Sequence, residues 1–213
     1  MGKFELSDWP ELTFPEAEGV FVRETYDTAR IILEYGSGGS TIYAAHGSGR
    51  LIFSVESDIF WARDLQRKVD VGNLPSPPII YPVDIGATGD WGRPVDASQW
   101  QKFHRYPVAI WSEPFFRSPD VILIDGRFRP ACFVASCLRI SQPTRILFDD
   151  YVNRQSYQIV EKLMKPTKIV GRLACFDAEP QTWPNWAQDL LLDLCTEATF
   201  STQKIFPYCR DDP

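Results

Sequence analysis

Residues 31–41, with the sequence IILEYGSGGST, constrain the fold more than any other part of the chain. Three apolar residues followed by Glu34 predict a short buried strand, and glycines occupy positions 36, 38 and 39 directly after it. Glycines at the end of a strand allow a sharp turn and a close approach of the backbone to a ligand. Ser40 or Thr41 then opens a helix whose N-terminal amide groups point toward that ligand. The segment therefore predicts a binding site for a nucleotide or a nucleoside.

The spacing of these glycines excludes two common phosphate-binding motifs. A P-loop requires a lysine after its last glycine, and none follows here. The dinucleotide fingerprint GxGxxG requires its third glycine at position 41, where the chain has Thr41. The pattern that remains is ExGxG, in which the Glu34 carboxylate would repel a pyrophosphate but suit an ammonium group or a ribose hydroxyl.

Composition and charge are those of an ordinary globular protein. The 213 residues suit a single domain over 1–213, with an irregular lead-in at 1–13. The net charge of −6 argues against a nucleic-acid partner. No apolar run is long enough for a membrane-spanning helix, and the N-terminus lacks the regions of a signal peptide. We therefore expect a cytoplasmic protein with no membrane partner, whose five cysteines are free thiols.

Strands and helices alternate along the chain. The predicted strands are 31–35, 51–55, 79–83, 120–125, 145–148, 168–176 and a short one at 200–206. The predicted helices are 15–28, 40–46, 58–69, 98–105, 131–140, 154–164 and 184–196. This order predicts an α/β fold built on a doubly wound, mostly parallel sheet, with its functional edge at the carboxyl ends of the strands.

Two further features of the sequence belong to that edge. Glu56 follows the strand 51–55, about 20 residues after Gly36, where an acidic residue can bind both hydroxyls of a ribose. The plainer alternative is a solvated carboxylate. The loop 86–94 is rich in glycine and contains Trp91, so it either covers an adenine or lies on the surface with Trp91 against the core.

Three carboxylates, Asp125, Asp149 and Asp150, also follow predicted strands. Like charges brought together at one edge disfavour ionisation unless a cation neutralises them. Mg²⁺ or Ca²⁺ suits such oxygen ligands and could hold and activate a substrate hydroxyl. Arg127 and Arg129 are the alternative cations, and they could also bind an acidic substrate.

The motifs ExGxG (34–38), LIDG (123–126) and RILFDDY (145–151) resemble those of small class I S-adenosylmethionine-dependent methyltransferases, of the catechol and caffeoyl-CoA O-methyltransferase type and their bacterial relatives. The resemblance covers residues 31–151. It implies a Rossmann-like methyltransferase fold, S-adenosylmethionine and Mg²⁺ as cofactors, and O-methyl transfer to a small-molecule acceptor. The chain departs from the family pattern in having Ser40 in place of the last glycine, and Arg127 to Arg129 where many relatives have a histidine or lysine base.

The resemblance also implies roles for individual residues. The cofactor-binding residues would be Glu34, Gly36, Ser37, Gly38, Thr41, Glu56, Ser57 and Asp84. The catalytic residues and Mg²⁺ ligands would be Asp125, Asp149 and Asp150, with Asp125 as the candidate general base. The acceptor, an acidic one if the arginines bind it, would contact Arg127, Arg129, Tyr151 and Arg154.

Other functions fit parts of the same pattern. An NAD(P)-dependent oxidoreductase shares the sheet and the acidic residue after the second strand, although Glu34 and the missing third glycine argue against it. A methyltransferase-like binding protein without activity would explain the departures from the family motif. A serine hydrolase is the least supported, because the chain contains no GxSxG. Helix 184–196 is a candidate contact for a homodimer.

Overall fold

The computed structural model of the chain describes residues 9–202. Its centre is one sheet of seven strands: β1 (Ile31–Tyr35), β2 (Leu51–Glu56), β3 (Ile79–Pro82), β4 (Val121–Ile124), β5 (Thr144–Phe148), β6 (Lys168–Val170) and β7 (Leu173–Ala178). The spatial order is β3-β2-β1-β4-β5-β7-β6. Strands β1 to β5 pair in parallel, and β7 runs antiparallel to both of its neighbours, β5 and β6.

Six α-helices lie in the described part of the chain: α1 (Glu16–Thr28), α2 (Gly39–His46), α3 (Ile59–Val71), α4 (Arg105–Val108), α5 (Arg129–Arg139) and α6 (Asn185–Thr196). Buried side chains of α1, α2 and α3 form a core with one face of the sheet, and those of α4, α5 and α6 form a second core with the other. Strands covered on both faces are apolar almost throughout, which explains the runs of isoleucine, leucine and valine in the sequence.

The helix starts near the functional edge follow from local sequence. The Asp58 side chain accepts hydrogen bonds from the backbone amides of Phe60 (2.9 Å) and Trp61 (3.0 Å), which fixes the start of α3 beside the end of β2. Pro130 occupies the first turn of α5, where its missing amide hydrogen costs nothing. Both helices therefore begin next to the residues that follow β2 and β4.

Four predicted elements differ from those observed. Residues 98–105 and 154–164 contain 3-10 helices, Trp100–Lys102 and Gln155–Lys162, rather than the expected α-helices. The predicted strand 168–176 is a hairpin of two strands, because Gly171 adopts a φ of 55° and reverses the chain. Of the predicted strand 200–206, residues 200–202 form no strand and the rest lies outside the described residues, as do residues 1–8 of the lead-in and Cys209.

The predicted fold class is confirmed: the sheet is doubly wound and mostly parallel. Within residues 9–202, no helix combines the length and apolarity needed to cross a bilayer. The carboxyl ends of β1, β2 and β4 are adjacent in the sheet and meet at one edge, which is where ligands bind in open α/β folds.

Candidate active site

A cavity of about 410 Å³ lies at this edge of the sheet. It is lined by residues 10–14, 36–40 and 56–58, by Trp61, Trp91, Gly92 and Tyr106, and by residues 125–127. The segments after β1, β2 and β4 thus meet around one space, and the irregular segment before α1 closes a further side. The volume falls within the range of sites that bind small molecules and cofactors.

The glycine loop after β1 supplies a bare backbone wall. Gly36 has a φ of 100°, and a Cβ there would lie 2.9 Å from the Cα of Gly126, so the two turns after β1 and β4 are in direct backbone contact. At Gly38, in contrast, no atom lies within 4 Å of the position a Cβ would take. Gly38 therefore presents an uncovered backbone to the cavity, and the first turn of α2 follows it directly.

Glu56 connects the glycine loop to the turn after β2. Its Oε1 accepts hydrogen bonds from the backbone amides of Ser57 (2.7 Å) and Asp58 (2.9 Å). Its Oε2 accepts from the hydroxyl (2.8 Å) and the amide (3.2 Å) of Ser37. The Ser57 hydroxyl donates to the carbonyl oxygen of Gly92 at 2.9 Å, which ties the loop 86–94 to the same place. The carboxylate is thus fixed in the cavity wall by its neighbours.

Two tryptophans border the cavity on its outer side. The Trp61 indole nitrogen donates to the Ser37 carbonyl oxygen at 2.9 Å, which holds its ring beside the glycine loop. Trp91 has a φ of 60° and leaves 79% of its surface exposed, although it lines the cavity. Flat apolar rings at the mouth of a polar cavity suit an aromatic ligand group such as a nucleobase.

The side chains of Glu34 and Thr41, expected to face the cofactor, do not line the cavity. Glu34 is fully buried, and its carboxylate accepts hydrogen bonds from Tyr26 (2.6 Å) and from Thr41, with Ser54 at 3.4 Å. The reason is the alternation of side chains in a strand, which sends residue 34 to the same face as Ile32, toward α1 and α2. Burial raises the pKa of Glu34, against the lowering effect of these hydrogen bonds.

Three other expected site residues also lie elsewhere. Asp84 is outside the cavity lining and pairs with Lys102 at 2.7 Å, and this hydrogen bond lowers the pKa of Asp84. Tyr151 is buried in the core of α4, α5 and α6, where its hydroxyl donates to Glu161 at 2.7 Å. Arg154 is likewise absent from the cavity lining and contacts Asp150 and the ring of Tyr157. Their partners, and in the case of Tyr151 also burial, hold all three side chains outside the cavity lining.

Asp125, Asp149 and Asp150 do come together, as the sequence predicted, and we call them the carboxylate cluster. Arg129, which is buried, lies among all three carboxylates, at 2.9 Å from Asp125, 3.5 Å from Asp149 and 3.3 Å from Asp150. It also donates to the backbone carbonyl oxygens of Gly126 (3.1 Å) and Asp149 (2.8 Å). One guanidinium therefore occupies the centre of the cluster.

Two more arginines complete the neutralisation. Arg172, from the β6–β7 turn, binds both carboxylate oxygens of Asp149 at 2.9 and 3.0 Å and approaches Asp150 at 3.3 Å. Arg154 reaches Asp150 at 3.3 Å. Among residues 9–202, no group of acidic, histidine or cysteine side chains is arranged to hold a metal ion. Each of the three expected Mg²⁺ ligands is thus paired with a guanidinium group, which fits neutralisation by arginine better than binding of a divalent ion.

Asp125 is the member of the cluster that lines the cavity. Desolvation raises the pKa of Asp125 to about 7, despite the opposing charge of Arg129, and the negative charges of Asp149 and Asp150 add to the rise. Burial also disfavours the ionised form of Asp149, but the hydrogen bond from Arg172 and the charge of Arg129 outweigh it and lower the pKa of Asp149. Two neighbouring carboxylates with divergent pKa values form a natural acid–base pair.

Several residues of the cavity and of the carboxylate cluster were not predicted as site residues. Residues 10–14 reach the site from an irregular segment, and Arg172 reaches the cluster from a hairpin turn. Trp61 was detectable in principle, since it lies in the first turn of a helix that begins beside the end of β2. Tyr106 comes from α4, in a stretch whose pattern predicted a helix ending just before it.

The fold and the site together define a class of protein. The strand order with its antiparallel β7, the glycine turn after β1 and the acidic residue at the end of β2 are those of class I methyltransferases. The cavity fits their cofactor, S-adenosylmethionine, in that it combines an uncovered Gly38 backbone, a fixed carboxylate at Glu56 and flat aromatic walls.

Comparison with known proteins gives the same result. No protein-family model and no curated protein matches the chain. The crystal structure of a methyltransferase-like protein from Silicibacter pomeroyi is 44% identical, with 88% of this chain and 98% of that chain aligned and a TM-score of 0.82. An O-methyltransferase from Bacillus cereus in complex with S-adenosylhomocysteine is 22% identical over 74% of this chain and 66% of its own, with a TM-score of 0.47. The O-methyltransferase TomG from Streptomyces achromogenes is 17% identical over 69% and 61%, also with a TM-score of 0.47.

The similarity to the Silicibacter protein decides the family, whereas the other two scores are too low to support a conclusion. The chain belongs to the class I S-adenosylmethionine-dependent methyltransferase family, as its motifs predicted. The two alternatives, an NAD(P)-dependent oxidoreductase and an inactive methyltransferase-like protein, are not favoured.

Proposed function

We propose that this methyltransferase transfers the methyl group of S-adenosylmethionine to an oxygen atom of a small acidic molecule. The observation that carries the proposal is that two acidic residues, Asp125 and Glu56, both line the cavity. A carboxylate with a pKa near 7 suits a general base, and the second carboxylate suits a ribose.

The residues that would hold the cofactor are Gly36, Ser37, Gly38, Glu56 and Ser57, all of which line the cavity. The bare backbone at Gly38 would receive the amino-acid part, and the Glu56 carboxylate would accept the ribose hydroxyls. Glu34 and Thr41 lie outside the cavity lining and support the glycine loop, because their hydrogen bond joins the end of β1 to the first turn of α2. They are positioning residues for the loop.

The bound cofactor supplies a methyl group that is already activated on a sulfonium. The protein therefore has mainly to orient the acceptor oxygen and remove its proton. Asp125 would accept that proton as the carbon–sulfur bond breaks and the carbon–oxygen bond forms. Arg129 holds Asp125 in place at 2.9 Å, so the base has a fixed orientation. We propose that no divalent ion takes part, because the arginines already neutralise the carboxylate cluster.

Isothermal titration calorimetry with S-adenosylmethionine, S-adenosylhomocysteine and NADH tests the cofactor assignment. Micromolar binding of the first two without binding of NADH is expected. Failure of S-adenosylhomocysteine to bind the folded protein would contradict the proposal. Methyl transfer from radiolabelled S-adenosylmethionine to a panel of hydroxylated acids then separates an active enzyme from a protein that only binds the cofactor.

Two sequence-based expectations remain predictions, namely a cytoplasmic location and a homodimer formed through α6. Helix α6 leaves Trp186 and Leu192 exposed by 42% and 66%, and a second copy of the chain would bury them. Light scattering on the purified protein and on Leu192→Glu measures the oligomeric state. A dimer that the substitution dissociates is the expected result.

A further inference from the structure

Arg127 is a cation without an anion. It follows the base Asp125 by two residues and lines the cavity. Its Nε is buried without a hydrogen-bond partner, and its guanidinium forms no ion pair within residues 9–202. Burial lowers the pKa of Arg127, and the positive charges of Arg129 and Arg93 lower it further. Placing a charge in such surroundings is unfavourable unless an anion accompanies it.

Arg93 is the second member of this feature. It lies between Gly92, which lines the large cavity, and Pro94, which lines a neighbouring cavity of about 30 Å³. Its Nε is also buried and unpartnered in the described part of the chain. Arg127 lines both cavities, and the positive charge of Arg93, which itself lines neither, acts on Arg127. We call Arg93 and Arg127 the arginine pair.

We propose that the arginine pair binds the anionic group of the methyl acceptor, a carboxylate or a phosphate. This inference rests on the proposed function and specifies its substrate class. Planar guanidinium groups with free donors match carboxylate and phosphate oxygens, and a ligand anion between them would relieve their mutual repulsion. An acceptor held by Arg127 would have its hydroxyl close to Asp125, two residues earlier in the same turn.

The other arginines near the site are not available for this role. Arg129 is taken by the carboxylate cluster, and Arg172 and Arg154 are bound to Asp149 and Asp150. The exposed Glu197 lines the small cavity with Arg127 but forms no ion pair with it. The carboxylate of the cofactor has another partner available, the bare backbone at Gly38 and the start of α2. The arginine pair is thus left for the acceptor.

The test uses anions of defined chemistry on protein saturated with S-adenosylhomocysteine. Inorganic phosphate, 4-hydroxybenzoate and the methyl ester of 4-hydroxybenzoate are titrated by calorimetry into wild type, Arg127→Gln, Arg93→Gln and the control Arg67→Gln. Arg67 is an exposed arginine on α3, and its side chain is 70% exposed. We expect phosphate and 4-hydroxybenzoate to bind wild type and the control, and the ester to bind at least tenfold more weakly. We expect each variant of the arginine pair to lose about tenfold or more in anion affinity, since a hydrogen bond to a charged group is removed.

Other results would overturn the proposal. Equal anion binding by Arg127→Gln, Arg93→Gln and wild type would show that the pair is not the receptor, and so would the absence of any binding to wild type. Weaker binding of S-adenosylhomocysteine to Arg127→Gln, with unchanged binding of 5′-methylthioadenosine, would assign the arginine to the cofactor carboxylate instead. If S-adenosylhomocysteine binds no variant or wild type, the proposed function fails, and phosphate titration of the free protein still tests the pair.

Discussion

Exchange of a carboxylate for an amide at Glu56 and at Glu34 tests the proposal that Glu56 binds the cofactor whereas Glu34 supports the loop. Both residues stand at the ends of adjacent strands, and both are buried. Only Glu56 lines the cavity. The substitutions Glu56→Gln and Glu34→Gln change the charge equally and leave the side-chain shape almost intact, so they form a matched pair.

The magnitude for Glu56→Gln follows from its hydrogen bonds. The amide oxygen can keep the bonds from the amides of Ser57 and Asp58, at 2.7 and 2.9 Å, and the new NH₂ group then faces the amide of Ser37. One half-buried donor loses its acceptor, which costs about 1 kcal/mol and lowers Tm by roughly 2–4 °C. Loss of a charge-assisted bond to a ribose hydroxyl removes about 1.5–3 kcal/mol, so the Kd for S-adenosylhomocysteine rises roughly 10- to 150-fold.

Glu34→Gln is expected to leave this Kd unchanged within error. The hydroxyls of Tyr26, Thr41 and Ser54 that surround Glu34 can rotate to act as acceptors for an amide. Differential scanning fluorimetry measures Tm, and calorimetry measures Kd, for wild type and both variants. If Glu34→Gln weakens binding as much as Glu56→Gln does, or if folded Glu56→Gln binds like wild type, the assignment of Glu56 to the ribose is wrong.

Three further predictions concern the loop, the carboxylate cluster and the base. Gly38→Ala should keep the wild-type Tm but weaken S-adenosylhomocysteine binding, because its methyl group enters open space in the cavity wall. Gly39→Ala should instead lower Tm, because a Cβ at Gly39 would overlap the Glu11 carbonyl oxygen. Arg129→Met should cost about 3–5 kcal/mol in the free energy of unfolding by leaving buried carboxylates unpaired, and added Mg²⁺ should raise the Tm of this variant but not of wild type. Asp125 has a folded-state pKa of about 7, above its unfolded value of about 4. Wild type should therefore lose stability relative to Asp125→Asn as pH rises from about 4 to about 7, with no further change above pH 7. Thermal melts of both proteins across this pH range measure the difference.

The meeting of the glycine loop with Glu56 could be predicted from the sequence because it is encoded locally. The glycine loop follows β1 directly, and Glu56 follows the next strand, so a parallel sheet brings them together whatever the rest of the chain does. The face of the sheet on which the Glu34 side chain lies could also be predicted from the sequence. Its position two residues after Ile32 predicts a side chain on the face covered by α1, whereas the family motif predicted one facing the cavity.

The acceptor half depends on contacts between distant segments. Arg172 reaches Asp149 from a hairpin turn that the sequence presented as part of one continuous strand. Tyr151 follows the carboxylate cluster directly in sequence, but its side chain is buried in the core, where its hydroxyl donates a hydrogen bond to Glu161. No local pattern specifies such partners, since each is chosen by how two elements pack rather than by spacing within one.

A balance of charge connects the carboxylate cluster with the arginine pair. The cluster carries three carboxylates, and Arg129, Arg154 and Arg172 pair with them one for one. A divalent ion would add positive charge where each carboxylate already has a guanidinium partner, and nearby like charges disfavour such binding. Positive charge without a carboxylate partner lies at the arginine pair, whose Nε atoms lack hydrogen-bond partners in the described residues. An anionic acceptor corrects this imbalance, whereas a neutral acceptor leaves it in place, so charge rather than size should dominate the choice of acceptor.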